Sequence, residues 1–108
     1  MSDIIKIAVD AMGGDNSPKK VIDGIILNHQ SNKDIFYKIF GDKEQISNLI
    51  DSNISKEFYE IIHTDKAVKS TDSPLEAAKR GKDTSMWLAI QSVKNKETDI
   101  VVSAGNTG

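Results

Sequence analysis

Cysteine is absent from the chain. That excludes a disulfide scaffold, a thiolate metal site and a cysteine nucleophile within these residues. Long apolar runs are missing too: no stretch approaches the roughly 18 consecutive apolar residues of a membrane-spanning helix. No linker, internal repeat or low-complexity tract interrupts the pattern. Neither sign of charge is in great excess, since 14 basic residues face 16 acidic ones for a net charge of -2. Nonspecific nucleic-acid binding needs a strongly basic face, so no nucleic-acid partner is expected. The opening MSDIIKIAVD sets an acidic residue before a short apolar run, the wrong order for a secretory signal. The expectation is a soluble, cytoplasmic chain.

What is present suits one modest domain. The 108 residues are 38% hydrophobic and 28% charged, a globular balance. A chain of this length buries roughly two thirds of its unfolded surface, enough for a single core.

Ile4 to Val9 is dense in Ile and Val and reads as a buried parallel strand. Ser17 is the expected N-cap of the next helix, with Pro18 at its first position. Val21, Ile22, Ile25, Ile26 and His29 recur at helical spacing, predicting a helix from about Pro18 to His29. Ile35 to Phe40 reads as a second strand closed by Gly41. Asp42 can cap a helix whose apolar face is Ile46, Leu49 and Ile50, with Glu44 near its positive end. Phe58 to Ile62 reads as a third strand. A long polar connection follows, then a cap-plus-proline signal at Ser73 and Pro74 that opens a short helix stopped by Gly81. An Asp83 cap is expected to open another, with Met86, Ala89, Ile90 and Val93 on one face. Ile100 to Val102 form a fourth strand. Strands alternating with helices imply right-handed crossovers and a Rossmann-like α/β fold, a parallel sheet with helices on both faces.

Ligands bind such sheets beyond the carboxyl ends of the strands. Two loops leave a strand there through small residues and glycines: DAMGGDNSP after the first and SAGNTG after the fourth. In the second, Gly105 and Gly108 permit close backbone approach, and Ser103, Asn106 and Thr107 offer uncharged polar groups. A helix starting there would point free N–H groups at an anion. These six residues alone leave a phosphate or carboxylate site and a capped tight turn equally open. In the first loop Gly13 and Gly14 allow a sharp turn, while Asp10 and Asp15 bring negative charge. Those carboxylates could orient backbone or a basic side chain or share Mg²⁺, or Asp15 could simply serve the turn. The fingerprints G-x-G-x-x-G and G-x-x-x-x-G-K-[ST] are both absent. Lys79, Arg80 and Lys82 cluster before a helix start, either for an anionic substrate or acidic partner or as a solvated patch. His29 and His63 stand apart from any metal-ligand or triad spacing. Trp87 reads as a packing residue.

Taken together, VDAMGGDNSP, KRGKDTSM and VSAGNTG, in this order and spacing, resemble the bacterial phosphate acyltransferase family of phospholipid synthesis. The resemblance runs from Ile7 to Gly108, with Ser31 to Lys69 contributing pattern only. It implies transfer of a fatty acyl group from acyl carrier protein to inorganic phosphate, giving acyl phosphate, which a membrane glycerol-3-phosphate acyltransferase then uses. It also implies an isocitrate/isopropylmalate dehydrogenase-like architecture, a homodimer, peripheral membrane association, and no cofactor or metal. On this reading Asp10, Asp15 and Asn106 are catalytic candidates. Gly13, Gly14, Lys82, Ser103, Gly105, Asn106, Thr107 and Gly108 are expected to bind phosphate or substrate. Family chains continue well past this point. The expectation is therefore the N-terminal part of a single acyltransferase domain, truncated after its fourth strand. Rival readings are a noncatalytic α/β fragment that binds a partner, and a dinucleotide-binding half-domain.

Overall fold

A computed structural model describes residues 4–13, 17–64 and 84–103. Four strands are present among them: β1 (Ile5–Asp10), β2 (Ile35–Gly41), β3 (Tyr59–His63) and β4 (Ile100–Ser103). Three helices accompany them: α1 (Lys19–Ser31), α2 (Lys43–Ile50) and α3 (Ser85–Lys94). All strand pairs are parallel, in the order β3-β2-β1-β4. The expected Rossmann-like α/β architecture is therefore the observed one.

This strand order dictates the layers. The chain steps outward from β1 to β2 to β3, then crosses back past β1 to β4. Right-handed crossovers put α1 and α2 on one face and α3 on the other. The packing agrees. Val9, Tyr37 and Ile39 of the sheet join Ile22, Ile25, Ile46 and Ile50 in one buried cluster. Ala8 and Phe40 join Ala89 in a second, flanked by Ile62, Leu88 and Val93. Residues one apart on a strand point to opposite faces, so β1 and β2 serve both cores.

Local chemistry departs from expectation at several points. Ser17 does not cap α1: Pro18 occupies the cap without a side-chain bond, and the Ser17 hydroxyl instead donates to the Gly13 carbonyl. Asp42 does cap α2, accepting from the Gln45 N–H at 3.2 Å, which holds its carboxyl below the usual range. The segment between α2 and β3 forms two short 3₁₀ turns, so β3 begins at Tyr59 rather than Phe58. Thr84 caps α3, accepting from Trp87 N–H at 3.1 Å. The sequence offers Asp83 beside it as an equally good capping residue, and that position lies outside the described residues. Ile90, expected on the buried face of α3, is exposed; Leu88 packs toward the sheet instead. The long connection and the short helix expected near Pro74 also lie outside the described residues.

Strand β4 is the larger surprise. Its run of Ile and Val suggests burial, yet Ile100, Val101 and Val102 are all exposed. Among the described strands it sits at the sheet edge, with β1 its paired neighbour. β1 is likewise exposed at its start and buried only from Ala8 onward.

Candidate functional site

Strand order locates the site before any side chain is considered. The chain leaves β1 toward β2, while β4 lies on β1's other flank. The carboxyl ends of β1 and β4 therefore border the topological switch point, where open α/β sheets open a crevice for ligands. Asp10 and Ser103 are register partners at the last paired position of the two strands.

Asp10 is the centre of this end of the sheet. Its side chain is 1% exposed. Oδ1 accepts from the backbone N–H groups of Met12 and Gly13, both at 3.1 Å, and from the Ser85 hydroxyl. Oδ2 accepts from the Ser103 hydroxyl at 2.7 Å. The first two bonds bend the chain out of β1 in an Asx-type turn. The third ties in the N-terminus of α3, and the fourth the end of β4. A buried carboxylate costs stability unless it is well bonded, and here three separate segments supply the bonds.

The turn after β1 rests on a close approach. Ala11 N–H donates to the Phe40 carbonyl at 3.0 Å. A Cβ added at Gly41 would sit 2.9 Å from Met12 Cγ and 2.8 Å from Ile46 Cδ1. Glycine at the end of β2 is thus what lets Met12 fold down over the sheet.

Of the residues singled out in the sequence, the structure brings Asp10, Gly13 and Ser103 together. Gly14, Asp15, Lys82, Gly105, Asn106, Thr107 and Gly108 lie outside the described residues. Ser85 was not foreseen. It is fully buried, and its tie to Asp10 spans 75 positions, beyond the reach of any spacing rule. A buried serine opening a helix is the one local hint, and its bond to Asp10 is a tertiary fact. Among the described residues no cluster of His, Asp and Glu could hold a metal ion.

A groove opens from this end of the sheet. It encloses about 350 Å³ and runs between α1 and strands β1 and β4. Its walls are mainly Ile7, Val9, Val21, Ile25, Tyr37 and Val102, with Asp10, Ser17, Lys20 and Ser103 toward the carboxyl ends of the strands. No helix among the described residues is long and apolar enough to cross a membrane.

Known proteins resemble the whole of this chain. The family described as "Fatty acid synthesis protein" matches residues 5–108. A protein of Pelagibacter ubique named "Phosphate acyltransferase" is 70% identical over 108 residues, the full chain and 32% of the relative. Proteins of the same name from Enterococcus faecalis and Streptococcus uberis are 46% and 47% identical over 96% and 95% of the chain, and 30% of each relative. The chain thus spans about a third of the length of the curated relatives it matches.

Proposed function

The chain belongs to the fatty acid synthesis protein family, and on that premise we propose that it forms the N-terminal part of a single acyltransferase domain. The proposed reaction moves a fatty acyl group from acyl carrier protein to inorganic phosphate. The observation that carries this reading is the agreement along the entire chain with proteins named phosphate acyltransferase. The switch-point geometry supports it, because both glycine-rich loops leave the sheet at the β1/β4 crevice.

The reaction asks for positioning more than for a covalent nucleophile. A phosphate oxygen attacks the thioester carbonyl, a C–O bond forms, the C–S bond breaks, and the thiolate departs with the carrier protein. Catalysis then consists of holding phosphate about 3 Å from the carbonyl and stabilising the developing oxyanion. The backbone N–H groups around Gly105 and Gly108, with the Asn106 and Thr107 side chains, take the anion. Gly13, Gly14 and Asp15 form the facing wall. Lys82 offsets phosphate charge or meets the acidic carrier protein. Ser103 directs its hydroxyl proton at Asp10, so its contribution is to fix where SAGNTG begins. Asp10 is a positioning residue that sets the two loops relative to each other. Assembly as a homodimer, peripheral contact with the membrane, and handover of acyl phosphate to a membrane glycerol-3-phosphate acyltransferase complete the proposal.

The test is hydroxylamine trapping of acyl phosphate formed from acyl carrier protein and phosphate, using protein that spans the relatives' full length. Turnover is expected, and Asn106→Ala should lower kcat about 100-fold, the scale of losing one oxyanion donor. Absence of acyl phosphate from the wild-type protein overturns the reading.

A further inference from the structure

We propose that the groove between α1 and strands β1 and β4 holds the fatty acyl chain, with the reacting carbonyl at its mouth beside Asp10 and Ser103. The inference rests on the acyl-transfer reading and adds where the hydrocarbon goes and how long it can be. An acyl group that reacts at the switch point must lead its tail away through apolar surroundings. The groove starts at that point, and between its polar mouth and Asn28 it is lined by Ile7, Val9, Val21, Ile25, Tyr37 and Val102. Lys20, which also lines the groove, stands in the first turn of α1, at the end nearer the mouth. At the far end Asn28 Nδ2 donates to the Tyr37 hydroxyl at 2.7 Å, a polar pair that marks the limit of the apolar lining.

Length follows from the helix. From the Pro18 cap to Asn28 the α1 segment advances about 15 Å at helical rise. An extended alkyl chain advances about 1.3 Å per carbon, given C–C bonds near 1.5 Å. The groove therefore fits about twelve carbons.

Gly24 is the second, independent observation. Glycine inside a helix is unfavourable relative to alanine, so its presence wants a reason. Packing within the fold supplies none, because a Cβ at this position would meet nothing within 4 Å. Gly24 falls on the same helical stripe as Val21 and Asn28 and lines the groove with them. Its missing side chain keeps the passage open. A larger residue there leaves the helix intact and narrows the groove.

The experiment titrates saturated fatty acids of eight to sixteen carbons, below their aggregation concentrations, into the ¹⁵N-labelled chain and follows amide shifts. Affinity should rise about fourfold per added methylene, level off near twelve carbons, and shift the amides of Val9, Val21 and Val102. Gly24→Leu should keep the native spectrum, bring the plateau to shorter chains, and weaken dodecanoate binding at least tenfold. Binding without length dependence, or dodecanoate affinity unchanged in Gly24→Leu, overturns the proposal. So does a chain-length preference in acyl transfer that Gly24→Leu leaves unmoved in protein of the relatives' full length, the result expected if polypeptide fills the groove there. That last outcome spares the acyl-transfer reading. Length-dependent binding without acyl phosphate formation spares the groove and removes the reaction.

Discussion

Asp10 holds the Met12 and Gly13 amides and the Ser85 and Ser103 hydroxyls at once. Asp10→Ala strands these donors in a buried place, and about 3 kcal/mol or more should be lost, since unsatisfied buried groups cost roughly 1–3 kcal/mol each. Asp10→Asn keeps one oxygen in position and should cost clearly less. Urea denaturation of the two variants checks the order, and equal losses would show that the carboxylate's geometry is not what matters. His29 is the other buried polar side chain with consequences. Its Nδ1 has no hydrogen-bond partner, and its ring lies 4.7 Å from that of Phe58. Burial, and secondarily the Lys33 charge, pushes its pKa down. The unfolded imidazole, near its ordinary value of about 6.5, then takes up a proton before the folded one does. Stability is full above that value and falls as pH drops below it. His29→Phe should flatten the decline in melting temperature between pH 7 and pH 5, whereas an identical decline in the variant would exclude His29 as its source.

Helix α3 carries the best-defined terminal chemistry. At its start Thr84 caps the helix while Ser85, the next residue, bonds Asp10. Thr84→Ala should cost about 1 kcal/mol and loosen the site along with the helix. At its end Lys96 N–H bonds the Val93 carbonyl at 3.0 Å and Glu97 N–H bonds that of Ser92 at 2.8 Å. This is a Schellman closure, whose turning residue is normally glycine. Lys96 holds φ at 62° instead. Lys96→Gly should raise stability by about 0.5–1 kcal/mol by relieving the left-handed strain, and a thermal melt that moves downward would contradict this. The Lys38 ammonium bonds Glu97 at 2.6 Å just beyond that turn, and the bond holds the Glu97 carboxyl below its usual range.

Across the whole molecule, β4 leaves Ile100, Val101 and Val102 exposed on an edge strand. Such an edge is a template for pairing with another chain. Sedimentation of the 108-residue chain should reveal concentration-dependent association, reduced by Val101→Lys. A monodisperse monomer with a cooperative thermal transition would count against it. The same edge bears on the site, because Val102 and Ser103 at the end of β4 line the groove.

Periodicity and turn chemistry along the chain were enough to read four strands, helices α1, α2 and α3, the Asp42 cap and the parallel sheet. Each rests on interactions within a few residues, or on the spacing of apolar residues along the chain. Asp10, Gly13 and Ser103 were legible as candidates because small residues and glycines follow strands where ligands bind. Other features required the folded chain. Ser17 turned to the Gly13 carbonyl, and Thr84 took the cap of α3, because tertiary position selects among chemically equal local options. The exposure of β4 depended on its place in the strand order, which apolar composition does not encode. The Asp10–Ser85 bond joins residues 75 positions apart, and the groove is lined by residues of α1 and β4 that lie far apart in the chain. Contacts of that separation are set by how layers pack, so only the tertiary structure could decide them.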